Sequence, residues 1–203
     1  MRTASRLLVP ILGVIASLAA VTVAQAGTPA AQLRGHVERV HAGLGEGGPQ
    51  HVARAPQHRA AIRHLAAEIF DVEEMSRRAL GRHWRTLTPD EQAEFARLFS
   101  HLLERAYLAK LALYRGIAIV GDTIDGDYAT VKSRVPRAQG GAINVEYRLL
   151  RRGDRWVTYD VLIENVSLLT NYRTQFDSII QRAGYPDLVR RLRASREARP
   201  AAH

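Results

Sequence analysis

The 203-residue chain has no cysteine. Disulfide scaffolds, thiolate zinc sites, iron–sulfur clusters and cysteine catalysis are thereby excluded, and so is a lipid-modified N-terminal cysteine. Aromatic residues make up only 6%. Glycine (15) and proline (8) are too few and too scattered for a collagenous or low-complexity chain. Acidic side chains are outnumbered 20 to 29 by Lys and Arg, leaving a formal net charge of +9. At 46% hydrophobic the chain is not disordered, and its length suits one domain with a sizeable core.

Long apolar runs are also scarce. The one present, Leu7 to Val23, follows Arg2 and Arg6, contains Pro10 and Gly13, and ends in Ala24-Gln25-Ala26. A positive start, an apolar middle and a small-x-small end make residues 1–26 a cleaved secretory signal. A retained anchor is the competing reading, but the run is short for a span and broken by Pro and Gly. Cleavage removes 26 of 203 residues and two arginines, leaving 177 residues at a formal charge of +7. The mature chain is then expected to be a free periplasmic or secreted protein.

Leu33, Val37, Val40 and Leu44 recur near every 3.6 residues and predict a helix over 30–44. Residues 43–56 read as a loop, and Ile62, Leu65 and Ile69 mark a second helix. Asp71-Val72-Glu73-Glu74 is a capping box, with Gly81 as the stop of the helix it starts. Thr88-Pro89-Asp90-Glu91 starts a long helix carrying Phe95, Leu98, Phe99, Leu102, Leu103 and Leu111 and ending near Tyr114. The period then falls to 2. Residues 117–120, 128–135, 142–151 and 156–163 read as four strands joined by Asp125-Gly126, Gly140-Gly141 and Gly153-Asp154, hence antiparallel. Val157, Tyr159, Val161 and Ile163 are expected on one face. Helix resumes near Val166 and runs to Gly184; Pro186 starts a short last helix, and a basic tail follows. The pattern predicts an α+β domain over 27–196, with helices covering the apolar face of a curved four-stranded antiparallel sheet, and a disordered tail at 197–203.

The eight histidines form no ligand cluster, no G-x-S-x-G is present, and no glycine-rich phosphate loop occurs, so no metal, cofactor or nucleophile site is assigned. Tyr159 with Asp160 or Glu164, and Tyr147 on the neighbouring strand, could host acid–base chemistry in an apolar pocket. Alternation, however, puts Asp160 on the opposite face from Tyr159, which favours a structural acid. A secretory signal argues against nucleic acid as the target of the basic surface, leaving an anionic membrane, an acidic protein surface, or simply a solvated helix face with an unstructured end. Phe95, Phe99, Tyr107, Tyr147, Tyr159, Tyr172 and Phe176 converge on the interior. Pattern alone fits a packed core as well as a cavity.

Two blocks carry a family resemblance. One is Phe70-Asp71, Met75, Arg78-Ala79-Leu80-Gly81-Arg82-His83-Trp84 and Thr88-Pro89 through Phe95, Leu98-Phe99, Leu102-Leu103 and Tyr107. The other is Tyr159-Asp160-Val161, Ile163-Glu164-Asn165-Val166-Ser167-Leu168 and Asn171-Tyr172-Arg173-Thr174-Gln175-Phe176. Together they resemble the MlaC family of toluene-tolerance, periplasmic phospholipid-binding proteins, over about residues 30–195. Asn165 and Thr174 stand where many members have Gly and Ser.

The resemblance implies a non-enzymatic shuttle that carries a phospholipid with two acyl chains. It would pass lipid between an outer-membrane lipoprotein/porin complex and an inner-membrane ABC transporter with its substrate-binding hexamer, touching membrane surfaces transiently and maintaining outer-membrane lipid asymmetry. A hopanoid-linked branch of the family implies a different lipid. A carrier of this kind needs a cavity that reaches or exceeds about 1,000 Å³, the upper end of ordinary pockets. Face alternation nominates Phe99, Leu103 and Tyr107 on the long helix, Val131, Val145, Tyr147, Tyr159 and Val161 on the sheet, and Leu169, Tyr172 and Phe176 on the late helix as its lining.

Overall fold

The computed structural model describes residues 27–44, 56–111, 116–137 and 140–197. The expected signal segment 1–26, the centre of the Gly- and Pro-rich loop, Tyr114 and the tail beyond residue 197 lie outside them. The order is α1 (Pro29–Leu44), α2 (Pro56–Ile69), α3 (Val72–Leu80), a 3-10 segment (Gly81–Thr86), α4 (Pro89–Leu111), β1 (Ala118–Asp125), β2 (Tyr128–Pro136), β3 (Ala142–Arg152), β4 (Arg155–Ile163), β5 (Val166–Ser167), α5 (Leu168–Ala183) and α6 (Tyr185–Glu197). This is the expected α+β fold, an antiparallel meander in the order β1-β2-β3-β4-β5 with helices before and after it.

Local signals explain most boundaries. Asp71 Oδ1 accepts from the Glu74 amide at 2.9 Å and starts α3. The reciprocal half of the box does not form, because Glu74 is gripped instead by Arg77 and Arg78, each at 2.6 Å. The complete box is at α4, where the Glu91 amide donates to Thr88 Oγ1 at 3.3 Å and Thr88 N donates to Glu91 Oε2 at 2.8 Å. Gly81 ends α3 with φ +55, but the chain goes on as a 3-10 turn that buries Trp84.

The strands differ from expectation in three places. β1 runs on to Asp125, although nearly all of it is exposed, because pairing with β2 holds it as an edge strand. The expected helix start at Val166 is a two-residue β5. The turn before it places Glu164 at φ 49 and Asn165 at φ 65, and Asn enters that left-handed region at little cost, so no glycine is needed. Finally, the β3–β4 register skips Tyr159: Arg148 pairs with Asp160, and Leu149 with Thr158. This bulge breaks the face shared by Val157, Tyr159, Val161 and Ile163.

The apolar interior has two parts. In the first, α3, α4, α5 and α6 close around Phe95, Phe99, Tyr172 and Phe176, whose rings stack or meet edge-on with centroids 5.3–5.7 Å apart. In the second, α1 and the end of α2 lay Leu33 and Ile69 on the inner face of the sheet, among Val131, Tyr147, Leu149 and Trp156. A backbone bond from Asp71 N to Thr158 O at 3.0 Å pins the α2–α3 junction to β4.

Candidate functional site

Between the two apolar clusters lies a cavity of about 390 Å³. Its floor is the inner face of the sheet, where cross-strand partners stand together: Val145 with Ile163, Tyr147 with Val161, and Val135 with Ile143. The α2 wall offers Ala66 and Ala67, whose small side chains leave the space open, and Phe70 at the junction; α3 adds Val72 and Met75. The α4 wall is one helical face, Ser100, Leu103, Glu104 and Tyr107, at the spacing i, i+3, i+4, i+7. Ile117 and Leu168 complete the lining. Arg63 and Glu104 are the charged groups on it, and they pair at 3.2 Å from α2 to α4. His101 stands 3.6 Å from the other Glu104 oxygen.

Tyr147 is buried, and desolvation pushes its phenol above the ordinary value, with a hydrogen bond to Ser133 offsetting part of the effect. Tyr172 is likewise raised by burial, and it hydrogen-bonds Tyr107, tying the cavity wall on α4 to α5. Both phenols therefore stay neutral; Tyr147 is a polar point on the apolar cavity surface, and Tyr172 lies in the helix core behind it.

Of the residues nominated from sequence, Leu103, Tyr107, Val145, Tyr147 and Val161 line this cavity. Phe99, Leu169, Tyr172 and Phe176 do not: α4 and α5 pack directly on each other, so these side chains fill the space between the two helices. Val131 is on the inner face but buried with the group under α1. Tyr159, displaced by the bulge, meets Tyr128 edge-on at 6.1 Å and lies under the Arg78 guanidinium at 4.0 Å. The cavity is also smaller than the expected 1,000 Å³, and an ion pair from α2 to α4, Arg63 with Glu104, stands on its lining.

The acid–base alternative loses its geometry as well. Asp160 Oδ1 accepts from the amides of Val161 (2.9 Å) and Leu169 (3.2 Å), and Oδ2 from Ser167 Oγ (2.7 Å). Glu164 is exposed in the turn and accepts from Asn144 N at 2.8 Å. Neither acid is on the cavity lining.

Sequence reasoning missed the α2 and α3 wall and the Ser100–Glu104 part of α4. The signal was available for α4, since Leu103 and Tyr107 select that face. It was also available for Val135, Ile143 and Ile163, which share strand alternation with Val131, Val145 and Val161. It was weak for α2, where alanines carry little pattern.

The family model described as MlaC protein matches residues 36–194. The toluene tolerance protein ttg2D of Pseudomonas putida is 25% identical over 128 residues, which are 61% of this chain and 60% of that protein's length. The intermembrane phospholipid transport system binding protein MlaC of Haemophilus influenzae is 21% identical over 144 residues, covering 68% of this chain and 67% of that one. Among solved structures, a phospholipid-binding protein from Ralstonia solanacearum in complex with a phospholipid superposes with a TM-score of 0.70 at 26% identity, covering 85% of this chain and 97% of that one.

Proposed function

The chain belongs to the MlaC family, and from that premise we propose that it is a periplasmic carrier that binds a phospholipid by its acyl chains and passes it between an outer-membrane complex and an inner-membrane ABC transporter. The observation that carries this reading is the apolar cavity between the sheet and α2–α4, in a fold matched by a protein solved with a phospholipid. The physics sets the requirement. Burying one methylene is worth about 0.8 kcal/mol, so two chains of roughly 30 methylenes cost on the order of 20 kcal/mol to hold in water. A carrier must enclose nearly all of that surface.

At about 390 Å³ the cavity stands at the low end of ordinary ligand pockets, roughly 300–1,000 Å³. Two full chains therefore require α2 to move away from α4 and the sheet. The Arg63–Glu104 pair marks the polar side of the cavity, where a head group meets water while the tails lie over Val145 and Tyr147. Lipid contact by Leu103, Tyr107, Val145, Tyr147 and Val161 is part of this proposal.

Native mass spectrometry of the protein purified from a bacterial periplasm, followed by lipid extraction, tests it. A one-to-one adduct of phospholipid mass supports the carrier reading. A hopanoid mass keeps the carrier and changes its cargo. A clean protein mass that stays unchanged after incubation with phospholipid vesicles overturns it.

A further inference from the structure

On another face, parts of the two sequence blocks that carry the family resemblance meet in a second recess, of about 520 Å³, whose lining residues are all polar or charged except Leu80. The first block brings Arg82 from the 3-10 segment; the second brings Arg173 and Thr174 from α5, and the same helix continues with Asp177, Gln181 and Arg182. None of these lines the apolar cavity.

The charges do not balance. Asp177 is the carboxylate in the recess, and donors already crowd it: Arg82 at 2.8 Å and His83 Nε2 at 2.7 Å on Oδ1, and the Gln181 amide at 2.5 Å on Oδ2. The His83 bond, first, and the Arg82 charge hold the Asp177 carboxyl below its ordinary range. Arg173 and Arg182 have no ion-pair or hydrogen-bond partner among the described residues. Arg173 is nonetheless seated. A Cβ on Gly81 would stand 2.7 Å from its Nε and 2.8 Å from its Nη2, so the guanidinium occupies the space that any side chain at position 81 would take. The φ of +55 at Gly81 disfavours a side chain there independently.

We propose that this recess docks a carboxylate-bearing segment of a partner protein, with Arg173 and Arg182 receiving an Asp, Glu or C-terminal carboxylate. A guanidinium fork matches a planar carboxylate. Acceptors also remain for peptide N–H groups: the Gln181 carbonyl, and Thr174 Oγ1, whose own proton goes to Thr170 O at 3.0 Å. Asp177 stands against a phosphate dianion in the same space, and a recess admits a side chain where a flat bilayer cannot follow. The inference deepens the carrier reading and rests on it, since a shuttle must recognise protein partners at each end.

Fluorescence anisotropy tests it on the full-length protein, with a labelled short peptide of alternating Glu and Gly bearing a free C-terminus, and its Gln counterpart. The Glu peptide is expected to bind more tightly than the Gln peptide, and Arg173→Gln with Arg182→Gln to weaken it about tenfold or more. Arg105→Gln with Arg134→Gln removes equal charge from exposed sites elsewhere and should change binding less than about twofold. Gly81→Ala, which displaces Arg173, should weaken binding with both arginines present; the arginine pair carries the test if that variant folds poorly. Equal losses from the two arginine pairs, absence of binding by the unaltered protein, or displacement by inorganic phosphate or phosphatidylglycerol vesicles at lower concentration than by unlabelled peptide would each overturn the proposal. Co-purified lipid is measured on the same samples. Lipid retained with no peptide specificity sinks the docking site alone, and peptide binding without lipid sinks the carrier reading alone.

Discussion

Asp160 is 4% exposed on β4, and its two oxygens take three donors, the amides of Val161 and Leu169 and the Ser167 hydroxyl, so that one carboxylate fastens the last full strand to the first turn of α5. Arg148 stands 3.8 Å away as counter-charge. Asp160→Ala strands two buried amides at roughly 1–3 kcal/mol each, so a loss of about 2–5 kcal/mol is expected in urea unfolding. A loss under about 1 kcal/mol would mean that water replaces the carboxylate. Glu74 is a second buried acid, with a different lesson. Hydrogen bonds from Arg77, foremost, and Arg78 hold its pKa below the ordinary value of 4.5. A depressed folded pKa gives stability that is present above the unfolded value and lost as pH falls through the folded one. Glu74→Gln should therefore be less stable than the parent at neutral pH, and the gap should narrow steadily below pH 4.5. A gap that is constant from neutral pH to pH 3 would show that the ion pair adds nothing to folding.

At the scale of elements, α2 and α4 face each other across the cavity, joined by the exposed Arg63 and the partly buried Glu104 at 3.2 Å. Such pairs are worth about 0.2–1 kcal/mol. Arg63→Ala should leave the unfolding midpoint nearly unchanged while speeding lipid release to acceptor vesicles by about two- to fivefold, followed with a fluorescent phospholipid. An unchanged release rate would mean that this pair does not restrain the wall. Elements of this kind were unevenly legible. The order of helices and strands follows from caps and periodicity, because Thr88-Pro89 and Gly184 act through local chemistry. The bulge at Tyr159 does not, because a period-2 reading assumes that every residue has a cross-strand partner. Nor does the boundary between core and cavity. Phe99 and Leu103 are both apolar residues of α4, and only the approach of α5 to one face decides that Phe99 is packed in the helix core while Leu103 overlooks open space. Arg63 and Glu104 carry no sequence signal of their own, because charged residues in an amphipathic helix read as solvated.

The whole molecule holds together without a disulfide, and its apolar interior is divided by a cavity rather than continuous. Phe70 packs against both clusters and lines the cavity between them, so an acyl chain there would add contacts to each. On the carrier reading the lipid is then a missing part of the core, and its binding must appear as stability. Ligand at one hundred times Kd contributes about 2.7 kcal/mol. A domain of this size gains about 2–4 °C in Tm per kcal/mol, so the lipid-loaded protein should melt about 5–10 °C above the same protein stripped of lipid. Val145→Trp separates that effect from nonspecific stabilisation. Val145 is on the cavity floor beside Ile163, and the larger ring would enter the space the acyl chains need. The variant should retain the Tm of the stripped parent within a few degrees, co-purify with little lipid, and lose the upward shift when phospholipid is added. A variant that melts higher with lipid to the same extent as its parent would place the lipid elsewhere on the molecule.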